Sequence, residues 1–262
     1  MTTCTVWYIT SKTDSDHLRL SVKTMDSYDW VDNIVIMHTD PSKPKNVGKL
    51  ESESAKISEF WKSYGYGFDR PCEDGGFDEV TCRNEVIQIA KDMGSEWIVQ
   101  CDSDEFFTPW LGELFLYINE NNQDAFAIEF SCYHFISPSI YVWDVSSVRG
   151  VMHDGHIRAV RHNYLPEYRF AGLHKVGNRG GRYGVYKNQT EDCGVKGTPR
   201  GNVFYEPKPC HIHVHDMFGH KVDRIVSHSL SNIDEDYKLI ENPRDIFPDY
   251  YIQAYVDHRK AV

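Results

Sequence analysis

No two cysteines in this chain are spaced C-x-x-C, and the seven present (Cys4, Cys72, Cys82, Cys101, Cys132, Cys193, Cys210) are scattered and odd in number. Neither a thiolate zinc site nor a disulfide framework is indicated, and a reducing compartment, the cytoplasm, is the expected setting. The patterns G-x-x-x-x-G-K-[ST], G-x-S-x-G and H-E-x-x-H are all missing, so nucleoside triphosphatases, serine hydrolases and zincins lack their motif. No stretch approaches the run of about 18 apolar residues that crosses a bilayer. Met1 to Val6 has no basic region and no long apolar core, so a soluble chain without a cleaved leader or membrane partner is expected. The sequon Asn188-Gln189-Thr190 is then accidental. There is no internal repeat and no low-complexity tract.

Basic charge is also short: 28 Lys and Arg face 39 Asp and Glu, for a formal charge of −11. That balance argues against a broad nucleic-acid footprint. Arg149, Arg158, Arg161, Arg169, Lys175, Arg179, Arg182 and Lys187 gather in the second half, either as a local groove or as a solvated face. What remains is ordinary for a globular protein: 40% hydrophobic and 26% charged residues over 262 positions, enough for a substantial core. One domain covering 1–262 is the simplest expectation. Aromatics at 13%, with 16 Tyr and 6 Trp, suit a sugar-handling cleft or a dense core equally well.

Val6 to Ile9 reads as a strand, His17 to Tyr28 as a helix with Leu18, Leu20, Val22 and Met25 apolar, and Ile34 to Met37 as a second buried strand. Strand, helix, strand at this spacing is a parallel β-α-β unit with its loops at one sheet edge. Asp40 to Leu50 and Phe60 to Gly76 read as loops. Thr81 to Met93 is a helix, carrying Val86, Ile89, Ala90 and Met93 on one face and stopped by Gly94. Further elements are a strand at Trp97 to Cys101, a helix at Leu111 to Asn119, strands at Ala125 to Tyr133 and Cys210 to Val214, and a helix at Met217 to Ser229. Eight glycines between 172 and 201 mark an irregular segment. The fold class is therefore α/β, with a mixed, mostly parallel sheet flanked by helices.

Two clusters carry chemistry. Asp102-Ser103-Asp104 follows a buried strand directly, at the edge where open α/β sheets bind ligands. Along an extended chain, positions 102 and 104 point the same way, giving two hard oxygen donors suited to Mg2+ or Mn2+. A solvated acidic loop is the plain alternative in so acidic a chain. The second cluster is Cys210-His211-Ile212-His213-Val214-His215-Asp216. On a strand, Ile212 and Val214 face the core while the three histidines share the other face, as metal ligands or as core residues satisfied by hydrogen bonds. A three-histidine zinc hydrolase competes with the first option.

Cys82-Arg83-Asn84 opening a helix, then Trp97 to Phe106 with Asp102-Ser103-Asp104, resembles the family-two-like glycosyltransferases of the GT-A fold, over about residues 4–107. The resemblance implies a GT-A type, Rossmann-like sheet, with a nucleotide-diphospho-sugar-binding half at 1–107 and an acceptor-side half at 108–262. It implies Thr10 and Asp40 near the base, Asp102 near the ribose or metal, and Asp104 as a direct ligand of Mn2+ or Mg2+. Arg83 and Asn84 join the donor site by the same likeness. His215, with His213 on its face, is similar to the late histidine that completes such a site, and Lys221 to the lysine holding the diphosphate. Glu191-Asp192 resembles the acidic pair that supplies the base in inverting members, with a solvated loop pair as the alternative.

The acceptor, whether a glycan, a small molecule or a modified DNA base, is not legible. One competing reading is a transferase acting on a hydroxymethylated DNA base, as in some viral enzymes. Another is a noncatalytic nucleotide- or metal-binding module on the same scaffold.

Overall fold

A computed structural model describes residues 2–10, 15–39, 54–62, 79–121, 125, 127–143, 155–161, 169–170, 185–186, 203–218 and 237–261. In chain order the elements are β1 (Cys4–Thr10), α1 (Ser15–Asp26), β2 (Asn33–His38), β3 (Ile57–Trp61), α2 (Glu79–Asp92), β4 (Trp97–Cys101), β5 (Glu105–Phe107), α3 (Trp110–Asn121), β6 (Ala127–Ser137), β7 (Ile140–Trp143), β8 (Gly155–Arg161), β9 (Arg169–Phe170), β10 (Val185–Tyr186), β11 (Val203–His213), β12 (Tyr237–Leu239) and α4 (Asp249–Ala261). Short 3-10 turns lie at His215–Phe218 and Pro243–Asp245. The protein is of the mixed α/β class, its central sheet mostly parallel and flanked by helices.

The chain forms two compact units. The first comprises Met1–Ser103, Gly112–Glu129 and Ile157–Tyr205. Its sheet runs β8-β4-β1-β2-β3, with β4, β1, β2 and β3 mutually parallel and β8 antiparallel to β4. Strands covered on both faces read as continuous apolar runs, and Ile34, Val35, Ile36 and Met37 are all fully buried. Trp7, Val35 and Met37 of the sheet pack on Cys82, Val86, Ile87 and Ala90 of α2. Gly94, at φ +75°, ends that helix. Its N–H reaches Lys91 O while Ser95 N–H reaches Ala90 O, the paired bonds of a Schellman cap that only a residue tolerant of positive φ allows. Trp97 of β4 stacks on Phe115 of α3, 4.8 Å between centroids.

Strand β3 departs from the loop expected from Phe60 onward. Its alternation is inverted: Glu59 is buried, satisfied by His38 at 3.0 Å, while Phe60 and Trp61 are exposed. A hydrophobic pattern cannot reveal a strand whose inward position is a paired carboxylate.

The second unit comprises Asp104–Leu111, Phe130–His156 and Glu206–Val262. Here β7 lies between β6 and β12, and β11 runs antiparallel to β5, with His213 opposite Glu105 and His211 opposite Phe107. Phe106, Phe135, Phe247 and Tyr251 form an aromatic core, which explains the Tyr-rich tail: Tyr251 belongs to α4 and is fully buried. Met217 and Phe218 begin no described helix beyond the 3-10 turn, and 219–229 lie outside the described residues. No helix among the described residues is long and apolar enough to cross a membrane.

Candidate functional site

Parallel strands in one sheet end on the same side, so β4, β1, β2 and β3 deliver Asp102, Thr10, Thr39 and Lys62 to one edge of the first unit. This is the edge where open α/β sheets take ligands. Thr10 is buried there, and its carbonyl accepts from the Thr39 hydroxyl at 3.2 Å. Arg158 of β8 donates through Nη2 to Asp102 Oδ2 at 3.0 Å. The guanidinium side chain is 10% exposed and the carboxylate 46%, so a largely buried cation holds a carboxylate that still meets solvent. Arg83, in the first half of α2, sits over the Trp7 ring at 5.2 Å, and Asn84 beside it is half-buried.

Residues 102–104 do not continue β4 as an extended chain. They form a turn between β4 and β5, so the strict alternation expected of Asp102 and Asp104 does not apply. Each carboxylate takes its own partner. Asp104, in the second unit, is anchored through its backbone, its carbonyl accepting from Val214 N–H at 2.9 Å. Its Oδ2 stands 3.4 Å from Nε2 of His213, and both side chains are about one-fifth exposed, 21% and 22%. His213 Nδ1 is in turn 2.7 Å from Nδ1 of His134 on β6.

His211 and His213, two residues apart on β11, differ in burial. His211 is fully buried, stacked on Phe107 at 5.0 Å, and its Nε2 approaches Glu105 Oε2 to 3.1 Å. Pairing with β5 sets His211 diagonally across from Glu105, a buried imidazole beside a buried carboxylate. His211 is thus a core residue. The strand ends at His213, and His215 opens the following 3-10 turn. Asp40, Glu191, Asp192 and Lys221 lie outside the described residues. Among the described residues no group of three or more His, Cys, Asp or Glu side chains is arranged to hold a metal ion.

Two site residues escaped sequence reasoning. His134 lies beyond the expected end of its strand at Tyr133, and its only signal is a polar position between the buried Tyr133 and Phe135. Arg158 carried no signal beyond being one of several basic residues in the second half.

No family model matches the sequence. No curated protein sequence matches it either. Among solved structures, the chain is similar to S. aureus TarS 1–349, at 13% identity over 51% of this chain and 36% of that one, TM-score 0.38. The same protein in complex with UDP-GlcNAc gives 14% identity over 52% and 35%, TM-score 0.38. A 4-diphosphocytidyl-2C-methyl-D-erythritolsynthase from Anaerococcus prevotii DSM 20548 gives 12% identity over 62% and 72%, TM-score 0.40. The chain spans about a third of the length of the TarS 1–349 chains, 36% and 35%.

Proposed function

We propose that the protein is a metal-dependent glycosyltransferase of the GT-A type, moving a sugar from a nucleotide-diphosphate donor to an acceptor hydroxyl with Mn2+ or Mg2+. The observation that carries this reading is the meeting of Asp104 and His213, an acid from the turn after β4 and an imidazole from the end of β11. Their 3.4 Å separation exceeds an ordinary N–H···O bond. Two donors roughly 2.1 Å from one cation stand about 3.0–3.5 Å apart, so the pair fits a shared divalent ion. A carboxylate and an imidazole are few protein ligands, which suits Mg2+ or Mn2+ held jointly by protein, water and a diphosphate. When bound, such an ion offsets the negative charge that grows on the leaving diphosphate.

The chain's own residues do the rest. Thr10 and Asp40 hold the nucleobase, Asp102 the ribose, and Arg83, Asn84 and Lys221 the remainder of the donor. Arg158 adds a positive charge beside Asp102, where the anionic donor lies. His215 is a second candidate ligand to the ion. Asp192, with Glu191 beside it, takes the proton from the acceptor hydroxyl as it attacks the anomeric carbon.

The test is incubation with a panel of UDP-, GDP- and TDP-sugars plus Mn2+, following release of nucleoside diphosphate. The reading predicts slow metal-dependent hydrolysis of one donor class. No release from any donor, with and without glycan or small-molecule acceptors, leaves a noncatalytic binding module. Acceptor binding that weakens steeply with salt identifies a DNA acceptor.

A further inference from the structure

A short polar contact at the Asp104–His213 pair is made by a residue so far given no role. His134 Nδ1 lies 2.7 Å from His213 Nδ1, with the rings nearly perpendicular at 86° and 4.8 Å between centroids. Two bare imidazole nitrogens repel at that distance, and two protonated ones cannot bond, so a single proton lies between them. One ring donates through Nδ1 and the other accepts. The Asp104 carboxylate, at 3.4 Å from Nε2, is too far to fix the orientation of the His213 ring by a hydrogen bond of its own. Of these two contacts the one at Nδ1 is the shorter.

We propose that His134 is the positioning residue of this site: it takes the Nδ1 hydrogen bond of His213 and so turns the Nε2 of that ring toward Asp104. This rests on the reading of Asp104 and His213 as ligands of a divalent cation. A histidine that ligates through Nε2 must be bare there and protonated at Nδ1, and the partner of that N–H sets tautomer and ring angle. Such a partner is commonly a carboxylate or a carbonyl oxygen. Here it is a second imidazole on β6, whose own proton then sits on Nε2. His134 itself lies between Tyr133 and Phe135, both buried, which anchors its stretch of β6 so that the acceptor nitrogen is fixed.

The experiment titrates Mn2+ into wild type, His134→Phe and His134→Asn in the presence of nucleoside diphosphate, following free Mn2+ by electron paramagnetic resonance. Long-range 15N–1H spectra of histidine-labelled, metal-free protein are recorded alongside, and circular dichroism checks folding. Removing an outer partner of this kind typically costs roughly 10- to 100-fold in metal affinity. The proposal predicts a loss of that size in His134→Phe and recovery of most of it in His134→Asn, whose amide oxygen takes the place of Nδ1 and accepts the same N–H. Wild-type affinity in a folded His134→Phe overturns the proposal and leaves the cation reading standing. If wild type binds no Mn2+, the cation reading falls, and the spectra still decide the hydrogen bond. A proton on Nδ1 of His213 with Nδ1 of His134 bare supports it, and the reverse arrangement or the same state in both rings overturns it.

Discussion

Arg158 donates to Asp102 at 3.0 Å from a side chain that is only 10% exposed. A guanidinium held this way is pre-oriented and cannot lose its charge, which suits recognition of a diphosphate better than a mobile lysine would. Arg158→Met is expected to weaken binding of the preferred nucleoside diphosphate by roughly 10- to 100-fold, about 1.4–2.7 kcal/mol. Because Asp102 stays 46% exposed, water takes over its free lone pairs, and the melting temperature is expected to change little. Titration calorimetry and a thermal melt check the two halves. Unchanged nucleotide affinity removes Arg158 from the donor site.

A second expectation concerns packing alone. A Cβ on Gly112 of α3 would stand 2.6 Å from Cγ of Trp30, a ring also packed on Phe115 and Tyr28. The half-buried ring must give way or lose those contacts. Gly112→Val is expected to cost about 1–3 kcal/mol by overpacking, lowering the melting temperature by roughly 3–10 °C in a chain of this size. A melt within a degree of wild type would mean that Trp30 repacks freely.

Thiol chemistry supplies a third. Burial pushes the Cys210 thiol from its ordinary 9.0 up to about 12, with the negative charge of Glu206 adding to the rise and hydrogen bonds to Thr108 opposing it. Cys4 is raised in the same direction by burial first and by Asp32 second. Native Cys210 therefore stays protonated at pH 8, and both thiols are expected to resist Ellman's reagent until the protein unfolds. The sign of the pH effect follows. Above about pH 9 the unfolded chain loses protons that the folded one keeps, so stability falls as pH rises from about 9 toward 12. Replacing Cys210 by Ala should flatten that decline in a pH series of melts, and an unchanged slope would assign it to other groups.

The elements legible in the sequence are those whose burial follows hydrophobicity. The continuous apolar runs of β1, β2 and β4, the one-sided helix α2 and its stop at Gly94 all fall within a few residues of their expected limits. What escaped does so for a polar reason. Strand β3 buries Glu59 and exposes Phe60 and Trp61, so its pattern reads backwards. At the candidate site, Asp104 was legible because it follows the recognisable strand β4 by three residues, and His213 because it closes β11. His134 and Arg158 were not, because their partners come from strands distant in sequence. Whether His211 was a ligand or a core residue stayed open for the same reason: its neighbours Phe107 and Glu105 come from β5, about a hundred residues earlier in the chain.

The proposed activity requires that Asp104 and His213 bind one cation. Mn2+ titrations of wild type, Asp104→Asn and His213→Asn, each with saturating nucleoside diphosphate and read by electron paramagnetic resonance, test this most directly. The account predicts one tightly bound Mn2+ per wild-type chain and a loss of at least about tenfold in affinity in either variant, with far-ultraviolet circular dichroism unchanged. Equal affinity in all three folded proteins, or no bound Mn2+ in wild type, would contradict it.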